Sequence, residues 1–191
     1  LTLSVIAQCN IYASAISWLG TTSQKKMFLE PAIRGELIGS LAATEPAGGS
    51  DVLGAVHTTA TDEGDSWVVS GEKKYITNGP IADAVVVLVR TKAERRLHSL
   101  TLVIVPTNIP GFRVKESLDK LGMHSSPTGW LEFDRCRIPK EFTLGKVGMG
   151  YHYFARNILE ERLLGGAAAV AAADLALQDT IRYIQKREAF G

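Results

Sequence analysis

Two cysteines in 191 residues, Cys9 and Cys136, are too few and too far apart for a disulfide framework. They read as reduced, buried thiols in a reducing compartment. Metal-ligand spacing is missing as well. No H-E-x-x-H and no paired C-x-x-C occurs, and His57, His98, His124 and His152 fall on separate elements, so no metal site is expected. There is no P-loop and no G-x-G-x-x-G; the glycines of GKVGMG (145–150) have another spacing. No G-x-S-x-G elbow supports a serine nucleophile, although spacing alone leaves a Ser-His-Asp triad open. Charge of one sign is lacking too. With 21 Lys and Arg against 20 Asp and Glu, the net charge is +1, and no basic block points to nucleic acid or an anionic membrane. Apolar runs are broken by Gly, Ser or charge before they reach the roughly 20 residues that span a bilayer, so no membrane insertion is expected.

What remains is ordinary globular material. The chain is 46% hydrophobic and 21% charged, enough for one or two compact units. It opens at Leu1 inside a helical pattern, without methionine, and stops at Gly191 just after another. It therefore reads as a segment of a longer protein, with targeting sequences out of view.

Three zones differ in hydrophobic period. In residues 1–36, Ala13, Ile16, Leu19, Met27, Leu29 and Ile33 form helical stripes, broken at Gly20-Thr21-Thr22. In residues 37–146, SWVVSGEKKYIT, DAVVVLVRT, LTLVIVP, FRVKESL and GWLEFDRCRIP are short, β-branched and punctuated by turn residues. About seven such strands predict an antiparallel barrel or sandwich. The charged stretch TKAERRLHS (91–99) reads as a solvated loop between two of them. Residues 151–187 read as one helix, about 55 Å long at about 1.5 Å per residue, with a small-residue middle, GGAAAVAAA. Helix, β-domain and helix in this order make an α+β chain with zones 1–36, 37–146 and 147–191.

Inside the last helix, NILEERLLGG places two acids in apolar surroundings. Residues three and four apart share a helix face. Glu160 has Arg156 one turn earlier and can pair with it. Glu161 has Asn157, Ile158, Leu164 and Gly165 as neighbours and no local cation. A carboxylate there is either paired in the tertiary structure or used, and desolvation would raise its pKa toward that of a general base.

A second feature is LAATEPAGGSD (41–51), a strand that runs into a Gly-rich turn with Thr44 and Ser50 as hydroxyl donors. About thirty residues on, GEKKYITNG (71–79) closes a strand with Tyr75 and Thr77 before an Asn-Gly turn. TEPAGGSD, SGEKKYITNG, the following AD, PGFRV, KLGMHSSPTGWLEFDRCRIPKE, GMGY and YIQKREAFG occur in one order along nearly the whole chain. Together they resemble the acyl-CoA dehydrogenase family. Three departures stand out: AGGSD for the commoner GAGSD, Tyr75 for tryptophan or phenylalanine, and His124 for the arginine of a GMR motif.

The resemblance implies the end of an N-terminal helical domain, a middle β-domain and the first long helix of a C-terminal four-helix bundle. It implies FAD, contacted by Leu41, Ala42, Ala43, Thr44, Ser50, Tyr75, Ile76 and Thr77, with Thr44 and Thr77 near the reactive ring edge. It implies an acyl-CoA thioester as substrate, touched by Ser50, His152, Leu159, Glu160 and Arg162, with Arg162 also bracing the helix and Tyr151 beside the acyl pocket. The isovaleryl and long-chain branches carry their catalytic glutamate on this helix just before an arginine, which matches Glu161. The reaction implied is FAD-dependent α,β-dehydrogenation within fatty acid β-oxidation. Glu161 would abstract the α-proton, flavin N5 would accept the β-hydride, and the product would be a trans-2-enoyl thioester.

Arg187 lies about 39 Å beyond Glu161 on a straight helix, too far for both to touch one flavin ring. The resemblance gives Arg187, with Phe190 beside it, to the FAD of a neighbouring subunit, and so implies a homotetramer built as a dimer of dimers. An electron-transferring flavoprotein or similar acceptor would follow as partner. The compartment would be the bacterial cytoplasm or the mitochondrial matrix, not the exterior. Alternatives are a dehydrogenase acting on acyl or aminoacyl groups held by a carrier protein, an oxygen-using acyl-CoA oxidase, or a catalytically silent paralogue.

Overall fold

A computed structural model describes residues 2–94 and 96–191. The helical start at Leu1 and position 95 of the charged loop lie outside the described residues. One compact unit reaches to Asn157, and a second comprises Ile158–Gly191.

The first zone is helical as its stripes predict. Helix α1 (Thr2–Ile6) runs through a π-helical stretch, Ala7–Ala13, into α2 (Ser14–Leu19). The chain breaks at Gly20 and restarts at a capping box. The Thr21 hydroxyl accepts from the Gln24 amide at 3.2 Å, and the Gln24 side chain accepts from the Thr21 N–H at 3.0 Å. Helix α3 (Thr22–Gln24), a second π-helical stretch (Lys25–Leu29) and α4 (Glu30–Arg34) follow, and Gly35 in the left-handed region at φ 74° ends them. Gln24 is buried and donates onward to the carbonyls of Glu141 at 2.7 Å and Thr143 at 2.9 Å.

The second zone forms one sheet of eight strands among the described residues. They are β1 (Gly39–Ala42), β2 (Thr59–Glu63), β3 (Ser66–Thr77), β4 (Ala84–Arg90), β5 (Leu100–Pro106), β6 (Phe112–Ser117), β7 (Thr128–Pro139) and β8 (Thr143–Leu144). A short helix, α5 (Val52–Ala55), lies between β1 and β2. The order is β6-β7-β3-β2-β4-β5-β8, with β1 also paired to β4. Most pairings are antiparallel, but β1–β4 and β2–β4 are parallel, and the path is open rather than closed into a barrel. Parallel pairing of β1 with β4 is possible because more than forty intervening residues carry the chain back to the same end.

Strand β4 is buried on both faces, which is why AVVVLVR is an apolar run and not an alternation. Val85, Val87, Val89, Val103 and Val105 join Trp67, Val69, Leu131, Phe133 and Ile138 in one core. Cys136 lies in that core, and burial pushes its thiol up to about 11, well away from reactivity. Cys9, expected to be buried, is exposed; both cysteines are free.

Helix α6 (Gly150–Ile184) begins on the sheet. Gly150 lies against the backbone of Thr101, where a Cβ would meet main-chain atoms at 2.7 Å, and the Thr101 hydroxyl accepts from the Gly148 N–H at 3.0 Å. Phe154 and Asn157 are buried, and the Asn157 amide donates to the Ile11 carbonyl at 3.2 Å. The helix ends at Ile184, three residues before the expected Arg187. Its last turn closes through Lys186 N–H to the Tyr183 carbonyl at 3.1 Å, an i→i+3 bond that stops further α-helical winding. No helix among the described residues is long and apolar enough to cross a membrane.

Candidate functional site

The two stretches singled out for the cofactor meet at one end of the sheet. Leu41 and Ala42 close β1, and Ala43 and Thr44 follow directly. The Ser40 hydroxyl donates to the Thr77 carbonyl at 2.6 Å, and the Lys74 N–H donates to the Thr44 carbonyl at 2.9 Å. Residues 40–44 therefore run beside residues 74–77.

The end of β3 is irregular. Its register with β7 slips between Lys73 and Ile76, and Tyr75 in that bulge has φ 64°. A tyrosine in the left-handed region costs of order 1–3 kcal/mol, a strain that gathers at functional sites. The slip returns Ile76 to the core at 3% exposure and leaves Tyr75 62% exposed. Thr77 ends the strand, and Asn78, left-handed at φ 63°, makes the expected turn. The Asn78 amide donates to the Ser4 carbonyl at 2.9 Å, fastening the first helix here.

Beyond Thr44 the chain turns back on itself, with Glu45 and Gly48 exchanging backbone bonds of 3.2 and 3.0 Å. Gly49 packs on Thr44, where a Cβ would stand 3.0 Å from its methyl. The Asp51 carboxylate caps α5 by accepting from the Gly54 N–H at 2.9 Å. Ala47, Gly48, Gly49, Ser50, Asp51, Gly54, Ala55 and His57 line a cavity of about 400 Å³, so Ser50 faces open space beside the strand ends.

Three charged side chains that sequence reasoning passed over hold this region. Lys73 and Glu45 are buried together, with Nζ 2.8 Å from Oε1. Lys73 Nζ also donates to the Ala43 carbonyl at 3.0 Å. Glu45 accepts from the N–H groups of His57 at 2.7 Å and Thr58 at 2.9 Å. Burial would raise the Glu45 carboxyl, but Lys73 and the Thr58 donor outweigh it and hold it below the usual carboxylate range. Burial pulls Lys73 down to about 8, against the opposing pull of Glu45. The one signal was the even spacing of Lys73 from Trp67 and Val69 along β3. Arg90, buried at the end of β4, donates to the carbonyls of Val56 at 3.0 Å, Leu53 at 2.6 Å and Glu94 at 3.0 Å, and to the Ser99 hydroxyl at 2.9 Å. It fixes α5, and with it one wall of the cavity.

The remaining expected residues divide between the two units. His152 does not line the cavity; its ring lies 5.6 Å from that of His98 and 6.0 Å from that of Tyr151. Arg156 lies over the Trp18 ring at 2.9 Å from its centroid. Leu159, Glu160, Glu161 and Arg162 sit in the second unit and are exposed, so the desolvation expected around Glu161 is not found within this chain. Arg187 and Phe190 follow the end of α6 outside any helix, Phe190 in the left-handed region at φ 67°, and both are exposed, so the straight-helix distance to Glu161 does not describe them. Among the described residues no group of three or more His, Cys, Asp or Glu could hold a metal ion.

A helical layer on an open mixed sheet, with two strand ends and a Gly-rich turn converging at one end, defines the class of fold. Residues 40–136 match the family model for the acyl-CoA dehydrogenase middle domain. The chain belongs to the acyl-CoA dehydrogenase family. It is 38% identical over 182 residues to the mitochondrial short-chain specific acyl-CoA dehydrogenase of Rattus norvegicus, covering 95% of this chain and 44% of that protein. It is 36% identical over 174 residues to the long-chain specific enzyme of Sus scrofa, covering 90% of this chain and 40% of that protein. An FAD complex of PigA superposes with a TM-score of 0.94 at 27% identity, covering 100% of this chain and 49% of that one. The chain thus spans less than half the length of each of these relatives.

Proposed function

We propose that the protein carrying this chain is an FAD-dependent acyl-CoA dehydrogenase. The observation that carries the reading is the convergence of Leu41–Thr44 with Tyr75–Thr77, where a strained bulge holds the Tyr75 ring out of the sheet. These residues fit a flavin. An exposed aromatic face, two threonines at adjacent strand ends and a Gly-rich turn beside a cavity suit a flat ring with a polar edge. Relatives of similar sequence are named as acyl-CoA dehydrogenases, and one solved relative as an FAD complex.

In this reading Leu41, Ala42, Ala43, Thr44, Tyr75, Ile76 and Thr77 hold the flavin, and Ser50 sits where the thioester passes. The flavin, when bound, supplies the acceptor for the β-hydrogen as hydride. Glu161 takes the α-proton from the substrate, and the product leaves as the trans-2-enoyl thioester. Because Glu161 is exposed within this chain, the desolvation its role needs comes from the bound thioester and the cofactor. His152, Leu159, Glu160 and Arg162 border the substrate, and Arg187 and Phe190 reach the FAD of another subunit in a dimer of dimers. The zones 1–36, 37–146 and 147–191 are the end of the first domain, the middle domain and the start of the helical bundle. An electron-transferring flavoprotein or similar carrier removes the electrons. The mitochondrial relatives favour the matrix in a eukaryote, with the cytoplasm as its bacterial counterpart.

The test is anaerobic bleaching of the flavin in the full-length protein by acyl-CoAs of graded length. A protein that purifies without flavin, or whose flavin no acyl-CoA bleaches, overturns the reading. Bleaching only by carrier-loaded acyl groups moves the substrate to that class, and peroxide release without added acceptor makes the protein an oxidase.

A further inference from the structure

We propose that Lys73 and Glu45 are positioning residues that set the two flavin-contacting strand ends against each other and against the wall of the Ser50 cavity; this rests on the flavin reading above. The pair is a clamp on backbone. Through Nζ, Lys73 holds the Ala43 carbonyl at 3.0 Å, one residue before Thr44. Through its carboxylate, Glu45 holds the N–H groups of His57 and Thr58 at 2.7 and 2.9 Å, where the chain leaves the cavity. The direct link of 2.8 Å joins those two holds, and Lys73 itself lies two residues before Tyr75, at the start of the register slip. Three segments distant in sequence therefore share one pair of side chains: residues 43–45, residues 57–58 and the bulge of β3.

General physical chemistry gives little stabilisation as the reason for such a pair. Two ions taken from water lose solvation that their attraction scarcely returns, and an apolar pair of similar volume often does as well. What an apolar pair cannot do is direct a carbonyl and two N–H groups to fixed places. Holding contacting groups within about half an ångström is what a flat, rigid ligand demands of its frame. Ile76 and Ala42 beside these strand ends are buried in the apolar core, which excludes water without a charged pair.

The experiment uses the full-length flavoprotein and three readouts besides turnover: the visible flavin spectrum, the midpoint potential and the FAD dissociation constant. Lys73→Met removes the ammonium and its hold on Ala43. Lys73→Met with Glu45→Gln removes both charges and keeps an acceptor for one of the two N–H groups, so it remains foldable if the single variant does not. Thermal unfolding is followed for each. Both are expected to show a shifted spectrum and potential, with FAD held at least about tenfold more weakly, the equivalent of one charge-assisted hydrogen bond. A shift that persists in the neutral pair when its unfolding temperature matches wild type establishes positioning. Wild-type spectrum, potential and FAD affinity in either folded variant overturn it. So does a flavin defect that disappears once stability is restored. A wild-type protein without flavin overturns this proposal together with the function it rests on, whereas a flavin-loaded wild type with unaffected variants overturns this proposal alone.

Discussion

The Tyr12 ring occupies the place where a side chain on Gly39 would begin. Tyr12 is fully buried, and Gly39 is the first residue of β1, so this contact seats the first helical run on the strand that leads to Thr44. Gly39→Ala puts a methyl into the ring and forces the helix away. The expected cost is about 1–3 kcal/mol, the usual range for overpacking. Denaturant unfolding of the full-length protein measures it, and wild-type stability would contradict the contact.

Glu161→Gln in the complete protein should keep FAD and lose turnover by a factor of about a hundred to ten thousand, the range for a missing general base. Glu160→Gln should stay within a few-fold of wild type. Steady-state rates with the best acyl-CoA decide the matter, and the reverse pattern would move the base by one position.

Arg187→Ala should lower the flavin occupancy of the purified protein while leaving proton abstraction in the flavin-loaded fraction unchanged. The ratio of flavin to protein absorbance reads the first, and single-turnover bleaching reads the second. Full occupancy in the variant would remove Arg187 from the cofactor site.

The Lys73–Glu45 pair also shapes the pH dependence of stability. Glu45 is held below its ordinary 4.5, so its contribution is present above that value and is lost as pH falls through the lowered one. Lys73 is pulled from 10.5 to about 8 by burial first, with Arg90 adding to the effect and Glu45 opposing it. Between those two values the unfolded chain binds more protons at this position than the folded one. Stability due to this lysine therefore rises with pH across that window. The stability of wild type relative to Lys73→Met should climb from pH 8 to 10.5, as followed by thermal unfolding at several pH values. A falling difference would show that Glu45, not burial, dominates the lysine.

The sequence revealed what depends on local period and little of what depends on distant partners. Helical stripes, the break at Gly20 and the strands were readable because each is set by residues within a turn or a pleat of one another. The Asn78 turn and the Gly-rich loop were readable from their own chemistry. Parallel pairing of β1 with β4 was not, since nothing in GSLA names a partner forty-five residues away, where Asp83 receives the Ile38 N–H. The clamp was missed for the same reason: Lys73 and Glu45 are 28 residues apart, and Arg90 meets the Val56 carbonyl across 34. The end of α6 is not legible because IRYIQKRE carries no breaker, and the helix stops by a tightened last turn instead.

The Gln24 side chain ties together segments that are synthesised at different times. It closes the capping box at Thr21 and bonds the carbonyls of residues 117 and 119 positions further on. Ribosomes add about 5–20 residues per second, so roughly ten seconds separate the synthesis of this amide from that of its acceptors. Until then the second helical run exists with a polar group that has only water to satisfy it. The second helical run is thus made well before the carbonyls that complete its hydrogen bonds.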